Sequence, residues 1–169
     1  MTHTLEIRTA LDDELVDQLA TLLIDAVESG ASVSFLSPLD RATASRFWRD
    51  LRIPPRGAIV LARSAARVDG VVVLVPSWAP NQAHRAEVAK LLVHRRARGA
   101  GLGGRLMNAL ADHAREQRFA LLTLNTPRGD RAEQLYRRLG WREVGVIPGY
   151  ARRGDGWHDA VAFYKQLAP

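Results

Sequence analysis

Apolar and polar positions along the chain form patterns that predict strands and helices in an interleaved order. Residues 5–10 alternate as a half-buried strand does. Residues 12–27 open on two aspartates and then repeat apolar positions at helical spacing, and Gly30 follows them as a helix stop. A second helix is expected at about residues 39–51, because Pro38 stands at its entry and two prolines follow its end.

The rest of the chain continues this alternation of strands and helices. A hairpin is expected over residues 58–77, with its turn near Asp69 and Gly70. The further elements are an apolar strand at 85–94, a helix from Leu102, a strand at 120–126, a short helix at 130–140 and a closing strand pair at 141–150 and 156–167. The order β-α-α-β-β-β-α-β-α-β-β predicts an α/β fold in which helices cover a mixed sheet, and residues 1–169 are interpreted as a single domain.

Length and composition exclude several classes of protein. A chain of 169 residues can bury one core without a metal or a disulfide. The absence of cysteine excludes disulfides, thiolate metal sites and a cysteine nucleophile, and no metal site is expected. The N-terminal segment lacks the features of a signal peptide, and nowhere do about 18 apolar residues run together. We therefore expect a cytoplasmic protein with no membrane partner.

The net charge of +6 comes almost entirely from arginine, since Lys90 and Lys165 are the only lysines among 24 basic residues. Arginine suits bidentate recognition of phosphate and carboxylate groups. Most arginines are dispersed along the chain, and no basic helix is interleaved with aromatic residues, so a nucleic-acid partner is not expected. Only the cluster Arg95, Arg96 and Arg98 stands beside a candidate binding motif.

That motif is the stretch ARGAGLGGRLM, residues 97–107, in which four glycines fall within six residues and run directly into helix-forming sequence. Glycines that open a helix leave backbone N–H groups free, and the helix dipole adds positive partial charge, so the expected guest is an anion such as phosphate. A glycine-rich turn with no ligand is the alternative.

Two common phosphate-binding motifs do not account for this stretch. A P-loop requires Gly-Lys followed by Ser or Thr, which the chain does not contain. Gly99, Gly101 and Gly104 satisfy the dinucleotide fingerprint G-x-G-x-x-G, but the next strand ends in Leu-Asn-Thr at 124–126 and not in the acidic residue that holds a ribose. The chain also lacks a repeated βαβ half.

A third motif fits better. The sequence R-x-x-G-x-G begins at Arg98, five residues after the L-x-V of Leu91 and Val93 in the preceding strand. Residues 132–141 then read A-x-x-x-Y-x-x-x-G-W. These two signatures, within residues 85–145, resemble the GNAT superfamily of N-acetyltransferases. Within it, the segments GASVSF, RAEVAKLLV and PGYARRGDGWHDA are similar to the tabtoxin-resistance type of small-molecule acetyltransferase.

The resemblance implies a GNAT fold, with a twisted, mostly antiparallel sheet of about seven strands flanked by about four helices. It also implies acetyl-CoA as the cofactor, with the main-chain N–H of Val93 directed to the acetyl carbonyl. The residues expected to bind the coenzyme are Leu91, Leu92, Val93, Arg98, Gly99, Ala100, Gly101, Leu102, Gly103, Gly104, Asn125 and Tyr136.

The chemistry expected from a coenzyme A thioester needs few protein groups. An amine has to be placed beside the carbonyl and deprotonated, and the thiolate has to leave. Without cysteine, direct attack in a ternary complex is favoured over a cysteine-bound acyl intermediate. Tyr136 is the general acid that the resemblance indicates, although Leu135, Tyr136 and Leu139 at helical spacing also fit a core face.

Two residues are candidates for the general base. Glu87 opens an apolar strand, and it is either the base, directly or through a water, or an exposed residue paired with Arg85. His158 has a suitable ordinary pKa, near 6.5, but a structural role in the last strand is the alternative.

The candidate residues for the acceptor pocket are Phe35, Trp78, Tyr150 and His158, each of which could instead pack in the core. We therefore expect an acetyl-CoA-dependent N-acetyltransferase that acts on the primary amine of a small molecule, such as an amino-acid-like metabolite, an antibiotic or a toxin. The alternatives are a protein amine acetyltransferase and a non-catalytic acyl-CoA-binding module. The protein is expected to be a monomer or a homodimer.

Overall fold

The computed structural model describes residues 2–31, 33–154 and 156–167, which form seven strands and four α-helices. The strands are β1 (Thr4–Arg8), β2 (Ala58–Ser64), β3 (Arg67–Pro76), β4 (Arg85–Val93), β5 (Leu121–Pro127), β6 (Arg142–Arg153) and β7 (Gly156–Gln166). The helices are α1 (Asp13–Glu28), α2 (Arg41–Asp50), α3 (Leu102–Glu116) and α4 (Arg131–Arg138). Short 3-10 turns lie at Pro80–Gln82 and Arg95–Ala97. The predicted order of strands and helices is confirmed.

One sheet in the order β1-β2-β3-β4-β5-β7-β6 forms the centre of the fold. Every neighbouring pair is antiparallel except β4 and β5. One apolar core joins α1 and α2 to one face of the sheet, and a second core joins α3 and α4 to the other face. Because β2 and β3 are covered on both faces, their sequences are nearly continuous apolar runs and do not alternate.

Local capping explains where the first two helices begin. The side chain of Asp12 accepts a hydrogen bond from the backbone N–H of Leu15 at 2.8 Å, and that of Asp40 accepts one from Thr43 at 2.9 Å. Helix α2 therefore begins at Arg41, two residues later than its apolar pattern predicts. In the described residues, no helix is long and apolar enough to cross a membrane.

The predicted turn at Asp69 and Gly70 is wrong, because the β2–β3 hairpin turns at Ala65 and Ala66. Both expected turn residues lie inside β3. A β-carbon on Gly70 would come within 2.8 Å of Leu106 Cδ1, so the glycine allows α3 to approach the sheet closely. The Asp-Gly pair therefore forms no turn, and Gly70 instead allows close packing against α3.

Asp69 itself is the extra residue of a β-bulge and is only 1% exposed. Its carboxylate accepts hydrogen bonds from Arg96 Nε at 2.7 Å and from His3 Nε2 at 2.9 Å. Burial by itself raises the pKa of Asp69, but the hydrogen bonds from Arg96 and His3 outweigh it and hold the pKa below its ordinary value. The bulge therefore contains a buried carboxylate whose charge is compensated by hydrogen bonds from Arg96 and His3.

The sheet opens between its two parallel strands. Strands β4 and β5 pair only between Arg85–Glu87 and Leu121–Thr123, after which β4 continues alongside β3 and β5 alongside β7. Within β4 a register shift places Lys90 and Leu91 opposite a single residue of β3, and Lys90 has a left-handed φ of 52°. The diverging strands leave a cleft in the middle of the molecule.

Candidate active site

A cavity of about 1450 Å³ follows the cleft between β4 and β5. Its walls come from the second half of β4, the segment between α1 and α2, the first turn of α3, the end of β5, α4, and the paired strands β6 and β7. Most of the residues that the sequence predicts to have functional roles lie along this one cavity.

The four glycines at the start of α3 have two different roles. Gly99 and Gly101 have positive φ angles of 84° and 73°, and a β-carbon on either would meet no atom within 4 Å. These two positions need glycine for the backbone conformation, and they leave open space beside the free N–H groups of the helix start. A β-carbon on Gly103 would instead meet Leu135 Cδ2 at 3.2 Å, so this glycine allows α3 and α4 to pack closely.

The loop that carries these glycines is fixed to its surroundings by charged side chains. Arg98 Nε donates a hydrogen bond to the carbonyl oxygen of Val93 at 2.9 Å. Asp25 of α1, which is buried, accepts a hydrogen bond from the backbone N–H of Arg95 at 2.9 Å and a second from its guanidinium. Sequence reasoning missed Asp25, although a carboxylate on the apolar face of a helix is a signal of such a partner.

The coenzyme candidates Leu91, Leu92, Val93, Leu102 and Gly104 also line the cavity, together with Arg98, Gly99, Gly101, Gly103, Asn125 and Tyr136. Ala100 lies in the same loop but does not contribute to the wall of the cavity.

Tyr136 of α4 packs its buried ring in the core and also lines the cavity. The residue is 6% exposed, and its ring lies 6.0 Å from that of Trp141 and 6.1 Å from that of Phe163. The hydroxyl forms no hydrogen bond within the described part of the chain. Burial, and then the charge of Asp130, raises the pKa of Tyr136 well above its ordinary value of 10, so the phenol remains protonated at neutral pH.

Glu87 lies on the same cavity and is exposed. The ion pair with Arg85 that was one interpretation of the sequence is not formed, because Arg85 donates to Gln82 Oε1 at 2.6 Å. Across the described ranges Glu87 forms no salt bridge with any residue. Glu87 is therefore an exposed residue of the cavity wall whose charge is not compensated by a salt bridge.

Three of the four acceptor candidates lie together at the cavity, namely Phe35, Tyr150 and His158. Asn125 Nδ2 donates to the hydroxyl oxygen of Tyr150 at 3.3 Å, which connects the end of β5 to β6. Trp78 does not join this group, because it lies in the β3–β4 connection with 93% of its surface exposed and does not line the cavity.

Lys90 is a cavity residue that the sequence did not single out. Its ammonium donates to the carbonyl oxygen of Val33 at 3.2 Å and to Ser34 Oγ at 3.0 Å. Burial lowers the pKa of Lys90, and the charge of Glu87 acts in the opposite direction. The available signal was a lysine inside an apolar strand, in a chain that has only two lysines.

The fold and the glycine-lined cleft define the protein as an acyltransferase. Residues 19–141 match the model described as "Acetyltransferase (GNAT) family", and the chain belongs to this family. This match confirms the family resemblance carried by Arg98, Gly101 and Gly103 and by residues 132–141. The confirmation extends to the class of enzyme and to the fold, but it does not assign a role to any single residue.

The relatives include small-molecule acetyltransferases. The L-methionine sulfoximine/L-methionine sulfone acetyltransferase of Pseudomonas aeruginosa is 29% identical over 147 residues, which is 86% of this chain and 85% of the relative. Among solved structures, an N-acetyltransferase from Staphylococcus aureus superposes with a TM-score of 0.82 at 18% identity, covering 98% of this chain and 99% of that one.

A phosphinothricin acetyltransferase from Sinorhizobium meliloti, solved in complex with acetyl-CoA, superposes with a TM-score of 0.80 at 20% identity over 99% of this chain and 90% of that one. Acetyl-CoA is the cosubstrate of the family. The residues of this chain fit it: the N-terminus of α3 faces the cavity, and Gly99 and Gly101 leave space where any other residue would project a side chain.

Proposed function

We propose that this protein transfers an acetyl group from acetyl-CoA to the primary amine of a small, amino-acid-like molecule, by direct attack in a ternary complex. The observation that carries the proposal is that one cavity is lined by the open helix start of α3, by Tyr136 and by Glu87. The P. aeruginosa relative, named for two modified amino acids, supports a small acceptor. The single seven-stranded sheet supports one acetyltransferase domain.

The coenzyme would be held by backbone groups more than by side chains. The free N–H groups from Gly99 to Gly104 suit a pyrophosphate, and Arg98 adds a positive charge beside them. Beyond Glu87, β4 no longer pairs with β5, so the backbone of residues 91–93 has no strand partner on its cleft side. Those groups and Asn125 would bind the amide-containing arm of the coenzyme.

Acetyl-CoA supplies an activated thioester, so the side chains have only to manage protons and charge. Glu87 is the proposed general base, since it lines the cavity and forms no salt bridge among the described residues. Tyr136 is proposed to act on the departing sulfur. Its pKa is raised above 10, whereas an ordinary thiol titrates near 8.5, so full proton transfer to a thiolate would be unfavourable. Tyr136 therefore stabilises the developing thiolate by donating a hydrogen bond.

A screen of amines for acetyl-CoA-dependent release of free thiol tests the proposal. The panel should contain amino acids, other small amines and short peptides with free amino groups. We expect turnover with members of the first group, and acetylation of the amine can be verified by mass spectrometry. Turnover with peptides alone would favour a protein amine acetyltransferase. Acetyl-CoA binding without turnover of any amine would favour a non-catalytic acyl-CoA-binding module.

A further inference from the structure

The ammonium of Lys90 lies among neutral groups of the segment between α1 and α2, where the acceptor candidate Phe35 lines the cavity. Its two hydrogen-bond partners, the carbonyl oxygen of Val33 and the hydroxyl of Ser34, carry no formal charge. The rings of Phe35 and Phe47 lie 6.0 Å and 5.2 Å from Nζ. An ammonium has three donors, and these contacts use two of them.

The charge on Lys90 is not balanced within the protein. In the part of the chain that the structure describes, no carboxylate lies within ion-pair distance of its ammonium. Glu87, three residues earlier on β4, acts on it only over a longer distance. A partly buried cation without an ionic partner is unfavourable, and an anion that enters the cavity would compensate it.

The local backbone is also arranged around this contact. Lys90 and Ser34 have positive φ angles of 52° and 74°, a region that residues other than glycine rarely adopt. The bulge at Lys90 and the segment between α1 and α2 are thus both held in unusual conformations where they meet. Such conformations persist where the surrounding structure requires them, and they are concentrated at functional sites.

We propose that Lys90 binds the carboxylate of an amino-acid acceptor and thereby selects amino acids over amines that lack a carboxylate. This inference rests on the acetyl transfer proposed above. Glu87 and Lys90 then form the two ends of a site for a zwitterion, with the carboxylate of Glu87 near the amine and the ammonium of Lys90 near the acid. Val33, Ser34 and Phe35 hold the lysine in place.

The test compares amino acids with their amides, which keep the amine and the side chain but lose the negative charge. The probes are L-methionine sulfone, L-methionine and L-phenylalanine, each with its carboxamide, and kcat/KM is measured for each by thiol release. We expect the wild-type protein to prefer the acids over the amides by about 10-fold to 100-fold, the range of a charge-assisted contact. This comparison does not depend on the folding of any variant.

The variant Lys90→Met should remove the preference, with kcat/KM for the acids reduced by about 10-fold to 100-fold and kcat/KM for the amides changed less than about 3-fold. Lys165→Met is the matched control. Lys165 also donates to a main-chain carbonyl, that of Leu139 at 2.7 Å, but it does not line the cavity. This variant should keep the wild-type ratio of acid to amide.

The outcomes separate this inference from the proposed function. Equal use of acids and amides by the wild-type protein would overturn the role of Lys90 and leave acetyl transfer intact. An equal loss for acids and amides in Lys90→Met would likewise overturn it, because a lysine that only supports the structure affects both alike. No turnover of any amine, with acetyl-CoA still bound, would overturn the proposed function and this inference together.

Discussion

Replacing Tyr136 by phenylalanine tests the assignment of Tyr136 more sharply than any other change, because a small effect on stability is expected together with a large effect on rate. The substitution removes one hydroxyl and keeps the ring that packs against Trp141 and Phe163. The hydroxyl has no hydrogen-bond partner within the described residues. We therefore expect the free energy of unfolding to change by less than about 1 kcal/mol, since no internal hydrogen bond is lost.

The expected effect on the rate is much larger. Removing one preorganised donor to a developing anion in a site that excludes water costs about 2.7–4 kcal/mol, which is about 10² to 10³ in kcat. Tyr136 is deeply buried at the cavity wall, so water cannot readily replace its hydroxyl. Because the contact forms chiefly in the transition state, kcat and kcat/KM should fall together while the affinity for acetyl-CoA stays nearly constant.

The assay is a single-turnover measurement of thiol release at saturating acetyl-CoA and amine, with thermal unfolding and calorimetric binding of acetyl-CoA on the same preparation. Tyr164→Phe is the matched control, since it also removes one tyrosine hydroxyl, from a half-buried residue of β7 that does not line the cavity. A folded Tyr136→Phe protein with an unchanged chemical step would refute the reasoning and leave Tyr136 as a core residue.

Four further substitutions, one of which is a control, test other parts of the structure. Gly101→Ala and Gly140→Ala should each lower the free energy of unfolding by about 1–2 kcal/mol, because both glycines have positive φ. Only Gly101 lines the cavity, so only Gly101→Ala should weaken acetyl-CoA binding, by tenfold or more in calorimetry. Glu87→Gln should lower kcat/KM by about 10² to 10⁴ and keep the affinity for acetyl-CoA; a wild-type rate at saturating amine would assign the base elsewhere. Asp69→Asn should cost about 1.5–3 kcal/mol in denaturant unfolding, since it weakens the charge-assisted hydrogen bonds that the buried carboxylate accepts from Arg96 and His3. The pKa of Asp69 is lowered in the folded protein, so the stabilisation by its carboxylate is complete above the ordinary pKa of 3.8 and is lost as the pH falls through the lower folded value. If Asp69→Asn lost as much stability at acidic pH as the wild-type protein does, this assignment would be contradicted.

The order of the elements could be predicted because local signals mark nearly every boundary. Asp12 and Asp40 cap the first two helices with their own side chains, and Gly140 ends α4 with a positive φ. Such signals depend on residues a few positions apart, so a single sequence contains them. The two acetyltransferase motifs could be found for the same reason, since each is a short stretch with fixed spacing.

The hairpin turn could not be predicted because distant residues override the local signal. Asp-Gly at 69–70 favours a turn by its own preferences. In the structure Asp69 is paired with His3, 66 positions earlier, and Gly70 is required by Leu106 of α3. Both partners reach these positions only after the sheet and α3 have assembled, and the sequence gives no sign of that pairing.

The roles of Lys90 and Asp25 could not be predicted for a related reason. Each is a charged residue in an apolar segment, which indicates a special role but does not identify the partner. Asp25 meets Arg95, 70 positions later, and Lys90 meets Ser34, 56 positions earlier. The bulge that directs Lys90 toward Ser34 comes from a register shift against β3, which no short window of sequence reveals.

The short pairing of β4 with β5 allows one strand to contribute to both the proposed coenzyme site and the proposed acceptor site. Over Arg85–Glu87 the two strands are joined, which fixes Glu87 of β4 relative to β5 and to the helix α4 that follows it. If the pairing continued in the same register, residues 127–129 would lie opposite residues 91–93, fill the cleft and satisfy their backbone groups. Because the pairing ends after three residues, those backbone groups have no partner on β5 and are available for the proposed contacts with the coenzyme. The bulge at Lys90 then directs a side chain of the same strand toward the segment between α1 and α2, where the acceptor candidate Phe35 lies. The proposed base and the two binding surfaces are thus set apart along β4 by strand geometry, at about 3.3 Å per residue.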